Sequence, residues 1–449
     1  MAANASWKRP ATKFCRFRAR LIIFVGFCVL GGPSYAAVKI QHWTTEKGAR
    51  VYFVENHDLP LLDVNVEFSA GSSRDQPAKS GLANLTRHML ASGAGGLSED
   101  DISKRLADVG AQLSGSFDMD RSGLTLRTLS HSRERDEALG ILAKLLQSPD
   151  FPAEILTREK ARIIAGLKEA ETQPDSIAQK AFYKEIYGAH PYALQTAGEI
   201  NTVEQLTRAD LQAFYAQYFN AQHAVVAIIG DITRGQAEEI AKNLTDNLPG
   251  ASAAGEALPE IKIKAQGKLI KIAHPATQSH VLMGMPGLRR GDPDYFALYV
   301  GNYILGGGGF VSRLIEEVRQ QKGLAYSVYS YFSPMRQEGP FVIGLQTQKS
   351  QTDEALAIVQ TTLRKFITQG PSAQELKEAK QNLIGGFALR LDSNKKILEY
   401  LAVIGFYQLP LTYLDDFTGK IESVTSTQIK NAFGKRIKPE SLDTIIVGL

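Results

Sequence analysis

The chain has 449 residues, of which 44% are hydrophobic and 22% charged, with 39 glycines, 18 prolines and a formal net charge of +4. This composition excludes a disordered or fibrous protein, and the length predicts two globular domains of about 200 residues each.

Residues 1–36 have the features of a secretory signal peptide. Basic residues between positions 8 and 20 precede an apolar run at 21–30, and Ser34-Tyr35-Ala36 resembles an A-x-A cleavage site. We therefore expect cleavage after Ala36 and a periplasmic location. The apolar run is too short for an ordinary membrane span. An uncleaved anchor is the alternative; after cleavage we expect no stable membrane span.

Removal of this segment changes the net charge and the cysteine content of the chain. It takes away six of the 51 Lys and Arg residues and none of the 47 Asp and Glu, which leaves a net charge of −2. A basic excess is then absent, so we expect no nucleic-acid partner. Both cysteines, Cys15 and Cys28, are lost with it, which excludes cysteine nucleophiles and thiolate metal sites.

The first half of the mature chain alternates between strand and helix patterns. A helix is predicted at residues 81–91, and a second begins after Ser98, a good N-cap, and runs to about residue 109. Strands are predicted at 51–55, 62–68, 113–117 and 123–129. This order predicts an α+β fold with antiparallel sheets and helices on one face.

The second half repeats the first at an offset of about 220 residues. L-T-R-E-K-A-R-I-I-A-G-L at 156–167 matches L-K-E-A-K-Q-N-L-I-G-G-F at 376–387, which pairs Lys160 with Lys380 and Gly166 with Gly386. Each segment follows an apolar helix (138–146 or 355–366) and precedes a terminal strand (224–230 or 444–448). The pattern indicates an internal duplication.

The duplication sets the predicted domain boundaries. We expect an N-terminal domain at 37–248 and a C-terminal domain at 262–449. The segment between them, 249–261, contains a stretch rich in Ala, Gly and Pro without periodicity, and is the predicted linker.

Several segments together resemble the M16 (pitrilysin-like) metallopeptidase family, in particular its two-domain bacterial branch related to the mitochondrial processing peptidase. They are A-G-S-S-R-D at 70–75, G-L-A-N-L-T-R-H-M-L at 81–90, G-A-H-P-Y at 188–192, I-I-G-D at 228–231 and S-R-L-I-E-E-V-R-Q-Q-K-G-L-A-Y-S-V at 312–328. The resemblance covers nearly the whole mature chain. It implies two homologous domains, each an antiparallel sheet with helices.

In active members of that family, an H-x-x-E-H helix supplies two zinc ligands and a general base, and a later Glu is the third ligand. The matching positions here are Asn84, Arg87, His88 and Gly166. Arginine cannot deprotonate and repels a dication, and glycine has no side chain. The resemblance therefore implies a degenerate motif, and we expect no metal in this chain.

The remaining candidate sites have simpler interpretations. We expect His88, His190, His223, His274 and His280 to be packed or hydrogen-bonded. The glycine run at 306–309 is not followed by Lys-Ser/Thr, so it does not indicate a phosphate-binding loop. We expect this run to be a flexible connection.

Arg319 and Tyr326 are seven residues apart in R-Q-Q-K-G-L-A-Y. The spacing predicts a helix that ends near Lys322, a turn at Gly323 and a strand through Tyr326. The resemblance implies that an Arg and a Tyr at these positions bind the substrate carbonyl and stabilise its developing oxyanion. From the residues alone, a surface Arg and a half-buried Tyr are the alternative.

The resulting functional expectation is a non-catalytic subunit of a heteromeric M16 zinc peptidase. A homologous partner with an intact H-x-x-E-H would supply the zinc, and this chain would close a chamber around peptide substrates and provide Arg319 and Tyr326 in trans. Peptidase activity is expected only in that heterodimer. The alternatives are a peptide-binding scaffold that captures extended peptides by strand addition, and a self-sufficient enzyme with relocated zinc ligands.

Overall fold

The computed structural model describes residues 38–250 and 257–448. The predicted signal peptide and the central part of the predicted linker, residues 251–256, lie outside the described residues. Among the helices that the structure describes, none is long and apolar enough to cross a membrane.

The first half contains two predicted helices and four predicted strands close to their expected positions. Its elements are, in chain order, β1 (Gln41–Thr44), β2 (Arg50–Glu55), β3 (Leu61–Phe68), α1 (Leu82–Met89), β4 (Gly93–Ala94), β5 (Leu97–Ser98), α2 (Glu99–Asp108), β6 (Gln112–Ser114), β7 (Ser122–Leu129), α3 (Ser132–Gln147), α4 (Ala153–Ala170), α5 (Pro174–Tyr187), α6 (Ile200–Gln205), α7 (Arg208–Tyr218), β8 (Ala224–Gly230) and α8 (Arg234–Thr245).

The second half follows a similar order. Its elements are β9 (Leu269–Ile272), β10 (Gln278–Leu288), α9 (Tyr295–Asn302), β11 (Ala325–Phe332), β12 (Gly339–Gln348), α10 (Thr352–Gln369), α11 (Ala373–Gly385), α12 (Asn394–Tyr407), α13 (Tyr413–Ser423), α14 (Ser426–Arg436) and β13 (Asp443–Val447). A π-helical turn, Tyr303–Gly307, extends α9, and a second π-helical segment, Ile315–Gln320, precedes β11.

Each half contributes a mainly antiparallel sheet. The strand order is β1-β2-β8-β3-β7-β6 in the first sheet and β9-β13-β10-β12-β11 in the second. The two orders correspond strand for strand once β1 is set aside, and in each sheet one pair is parallel, β2 with β8 and β9 with β13. The α+β fold of two homologous domains is confirmed.

Matching side chains make matching contacts in the two halves. Lys160 on α4 donates to the carbonyls of Glu204 and Leu206 at the end of α6, and Lys380 on α11 donates to the carbonyl of Glu422 at the end of α13. These carbonyls carry the partial negative charge of a helix C-terminus. The similarity between the two segments therefore reflects equivalent positions in the fold.

The halves exchange one helix each. Helix α5 packs on β10 and β13 of the second sheet, while α12 packs on β8, β3 and β2 of the first. At Gly405 on α12, a Cβ atom would lie 2.5 Å from Val225 Cγ1, so only glycine allows this close approach. The sheets thus carry helices on both faces, and the expectation of one covered face was wrong. The run A-V-V-A-I-I-G of β8 is buried throughout, which is typical of a strand covered on both sides.

A buried carboxylate joins the two halves. Asp120 accepts hydrogen bonds from the Tyr192 hydroxyl (2.5 Å), the Tyr407 hydroxyl (2.9 Å) and the Arg336 backbone N–H (2.7 Å). Tyr192 belongs to the G-A-H-P-Y segment, whereas Tyr407 and Arg336 lie in the second half. Because buried donors and acceptors need partners, this cluster holds the exchanged helix α12 in place.

Candidate functional site

The start of α1 is held by the A-G-S-S-R-D segment. The Asp75 carboxylate accepts the backbone N–H groups of Gly81 and Ala83, each at 2.8 Å, which satisfies donors that a helix N-terminus leaves free. Gly81 has φ +92°, a left-handed conformation that glycine adopts without strain. Burial raises the pKa of Asp75 to about 7, although the backbone N–H groups act in the opposite direction.

One face of α1 carries the degenerate motif. Asn84, Arg87 and His88 are spaced i, i+3 and i+4, so their side chains share a face, and all three are half-buried. Leu85 and Met89 are fully buried in the core of the first half. The helix therefore keeps its packing face while the other face has changed its chemistry.

Arg87 lies flat against the backbone that follows β6. Its Nη2 donates to the Gly115 carbonyl (3.1 Å) and its Nη1 makes a long contact of 3.4 Å to His88 Nδ1. Its Nε is buried without a hydrogen-bond partner. A Cβ atom at Gly115 would lie 2.8 Å from Nη2 and 3.0 Å from Nε, so Gly115 makes room for this guanidinium. No local sequence pattern marks Gly115 as part of this site.

Helix α4 lies beside this face. Glu159 on α4 is buried and pairs with Arg158 (3.2 Å) and Arg162 (2.7 Å). Burial lowers the pKa of His88, and the charges of Arg87 and Arg162 lower it further, against the opposing effect of Glu159. These effects favour the neutral form of the His88 imidazole.

Gly166 lies one turn beyond Arg162 on α4, on the same side of the helix. It is exposed, and a Cβ atom there would meet no other atom within 4 Å. Space for a longer side chain is therefore available at this position.

These residues do not fit zinc. The Asn84 amide is a poor zinc ligand, Arg87 brings a positive charge, and Gly166 brings no side chain. Throughout residues 38–250 and 257–448, no group of three or more His, Cys, Asp or Glu side chains is placed to hold a metal ion. That part of the chain therefore offers no candidate site for the relocated zinc ligands of a self-sufficient enzyme.

His190, His223, His274 and His280 are hydrogen-bonded within the fold. His190 Nδ1 accepts the backbone N–H of Tyr192, and its Nε2 contacts the Pro259 carbonyl. The remaining contacts are those of His223 with Asn220, His274 with Thr172 and His280 with Gln346. These four histidines were expected to be packed or hydrogen-bonded, and the structure shows hydrogen bonds for each of them.

The structure brings Arg319 and Tyr326 together. The preceding helical segment ends at Gln320, Gly323 has φ +64° and β11 begins at Ala325, as the spacing predicts. The Arg319 guanidinium lies 5.3 Å from the Tyr326 ring centroid and 5.0 Å from that of Phe310, within cation–π range. Tyr326 is 76% exposed and Phe310 67%. Sequence reasoning missed Phe310, whose only signal is an aromatic residue directly after a glycine run.

The glycine run is not the flexible connection that we expected. Gly306 and Gly307 belong to the π-helical turn that extends α9. A Cβ atom at Gly306 would lie 2.5 Å from Ser330 Oγ, so the glycine lets this turn pack directly against β11. Asn302 and Ser330 exchange two hydrogen bonds at the same place.

Strand β11 is the last strand of its described sheet and is flanked by a groove on each side. A groove of about 260 Å³ runs between β11 and α5, and one of about 580 Å³ lies between β11 and α9. Both grooves include Tyr329 and Tyr331, and the second also includes Tyr295 and Tyr299.

Comparison with known proteins identifies the family. Residues 50–199 match the model described as insulinase (peptidase family M16), and residues 205–383 match that of the peptidase M16 inactive domain. The chain is 29% identical over 385 residues to the "Non-peptidase homolog YmxG" of Helicobacter pylori, covering 85% of this chain and 87% of that protein. It is 26% identical over 354 residues to the "Uncharacterized zinc protease YmxG" of Bacillus subtilis, a match that covers 79% of this chain and 85% of that protein.

A solved structure gives the same result. The crystal structure of a peptidase M16 inactive domain from Pseudomonas fluorescens is 37% identical in sequence and superposes with a TM-score of 0.87. The match covers 91% of this chain and 98% of that one. The chain therefore belongs to the M16 metallopeptidase family.

Proposed function

We propose that this chain is the non-catalytic subunit of a heteromeric M16 zinc peptidase. It pairs with a homologue that carries an intact H-x-x-E-H and zinc, closes a chamber around peptide substrates, and supplies Arg319 and Tyr326 to the partner's zinc site. The observation that carries the proposal is the contrast between the altered motif face of α1 and the organised pair of half-buried Arg319 and exposed Tyr326.

The geometry of the pair suits this role. An oxyanion is stabilised best by donors that are already in place before reaction. Arg319 is permanently charged and lies within cation–π distance of the rings of both Phe310 and Tyr326. Exposed apolar side chains grouped in this way are typical of an interaction surface, so both the donors and the docking contacts would come from one patch.

The name of one relative and two further descriptions support the inactive part of the proposal, whereas the Bacillus subtilis relative is called an uncharacterized zinc protease. The Helicobacter pylori relative is called a non-peptidase homolog, and both the second family model and the Pseudomonas fluorescens structure are described as an inactive domain. The partner and the periplasmic location rest on the resemblance and on the features of residues 1–36.

The test is a mixing experiment. The mature chain is combined with an M16 chain that has an intact H-x-x-E-H from the same genome, and cleavage of fluorogenic peptides is followed. This chain alone should not cleave, and the mixture should cleave faster than the partner alone. Arg319→Ala with Tyr326→Phe should lower kcat/KM of the mixture by about 100-fold, as loss of oxyanion donors does.

The matched control is Arg364→Ala, which removes an exposed arginine from α10 and should leave the mixture unchanged. Gel filtration shows whether each variant still forms the complex. Unaltered peptidase activity with the Arg319/Tyr326 double variant, in an intact complex, would rule out the proposed role in trans.

A second candidate is a peptide-binding protein that needs no partner. The edge strand β11 and its two grooves favour it, because an added strand would send alternate side chains into opposite grooves. A labelled unstructured peptide should then bind the isolated chain, and Tyr329→Ala with Tyr331→Ala should weaken binding. A monomer that binds no such peptide would exclude this function.

A further inference from the structure

The motif face of α1 presents hydrogen-bond donors where zinc would require electron-pair donors. The Asn84 amide makes no hydrogen bond to another described residue, and its NH₂ group is free to donate. Arg87 has five N–H donors, of which two are engaged and the one on Nε is buried. His88 Nδ1 accepts from Arg87, which leaves the proton of the neutral ring on Nε2.

The charges around this face are also unbalanced. Burial lowers the pKa of Arg87, so its charged form is partly desolvated. On the adjacent helix α4, Arg158 and Arg162 share the carboxylate of Glu159. Arg87 has only a carbonyl and an imidazole as partners within the described chain. Charges removed from water are normally paired with an opposite charge, so an anion is the missing partner.

The position of the face indicates which anion. Arg87 is anchored on the carbonyl of Gly115, the residue directly after β6, and β6 is an edge strand of the first sheet. An extended peptide beside this edge would bring its carboxylates within reach of the planar guanidinium fork, which matches carboxylate geometry.

We propose that Asn84, Arg87 and His88 form a binding site for a peptide carboxylate, in place of the zinc centre of active M16 enzymes. Arg87 provides the charge, and Asn84 and His88 provide further donors. The carboxylate belongs either to the peptide C-terminus or to an Asp or Glu side chain. The site is complete in this chain and does not depend on a partner subunit.

The experiment uses the full mature chain alone. Three probes are titrated by ligand-observed NMR: N-acetyl-trialanine with a free carboxylate, the same peptide as its C-terminal amide, and N-acetyl-Ala-Glu-Ala amide. We expect the C-terminal amide of trialanine to bind at least about tenfold more weakly than the better of the two carboxylates. Whether the first or third probe binds more tightly distinguishes a C-terminal from a side-chain carboxylate.

Variants test the residues. Arg87→Gln should weaken binding of the preferred probe about tenfold or more. Arg87→Lys should have an affinity between those of Arg87→Gln and the wild type, because lysine keeps the charge but lacks the planar guanidinium fork. The matched control is Arg105→Gln, which removes one positive charge from a partly exposed ion pair with Glu137 and should leave binding unchanged. A thermal melt of each variant reports on folding, and Asn84→Ala provides a second, milder test.

The proposal is overturned if the trialanine amide binds as well as the free acid, or if folded Arg87→Gln binds like the wild type. It is likewise overturned if inorganic phosphate displaces the preferred peptide more effectively than acetate does. None of these measurements involves a partner or peptide cleavage, so their failure is distinct from failure of the proposed subunit role.

Discussion

The two halves of the molecule share one architecture and have kept different chemistry. Both have corresponding strand orders, and both have a lysine that binds the end of a later helix. The first half presents Arg87 at the position that the resemblance assigns to the base of a zinc peptidase, and the second presents half-buried Arg319 beside exposed Tyr326. The comparison shows that the packing face of a helix and its functional face can change independently, because only the packing face contributes to the core.

The largest expected effect comes from returning zinc ligands to the first half. The triple variant Asn84→His, Arg87→Glu and Gly166→Glu restores the motif on α1 and α4, and Gly166 has space for a side chain. We expect it to retain about one zinc per chain on metal analysis after dialysis, since a complete ligand set binds zinc by about 10 kcal/mol or more.

The double variant without Gly166→Glu is the control and should lose its zinc to a chelator. A folded triple variant that holds no zinc would show that Gly166 is not the third-ligand position.

The next largest effect is expected from the buried Asp120 cluster that connects the two halves. Asp120→Ala removes the acceptor for two tyrosine hydroxyls and the Arg336 N–H. Leaving buried donors unpaired should lower the free energy of unfolding by about 3–5 kcal/mol, measured by urea denaturation. The exposed Asp100→Ala serves as control and should change it by less than about 1 kcal/mol, the typical contribution of an acidic side chain in the first turn of a helix. A similar, small effect for both would mean that the halves are joined by apolar packing alone.

A smaller effect concerns Asp75, whose carboxylate accepts hydrogen bonds from the N-terminus of α1. The pKa of Asp75 is about 7 in the folded chain, above its ordinary value of 3.8, so the folded state binds the extra proton between these values. The contribution of Asp75 to the free energy of unfolding should therefore be largest below about pH 4. It should decrease by about 2–4 kcal/mol as the pH rises to 7.

Asp75→Asn keeps an acceptor oxygen but does not titrate, so urea denaturation at pH 5 and pH 8 should show a weaker pH dependence for the variant. Equal pH dependence in the two proteins would contradict this assignment.

Much of the fold could be predicted from local patterns. Apolar alternation located β2, β3 and β7, Ser98 marked the start of α2, and Gly323 marked the turn before β11. The exchange of α5 and α12 could not be predicted in this way, because an apolar helix face does not specify which sheet it covers. The glycine run was misread because Gly306 serves a contact with Ser330, 24 positions further along the chain.

The sequence by itself determined the duplication and the family, and it predicted the loss of zinc-ligand chemistry at Asn84, Arg87 and Gly166, because side-chain type decides whether a group can coordinate a cation. Only the tertiary structure decided what those positions have become. It places Arg87 against the Gly115 carbonyl and Glu159 between two other arginines, and it places Phe310 against Arg319. Such pairings depend on distances between residues far apart in the chain, which local sequence patterns do not encode.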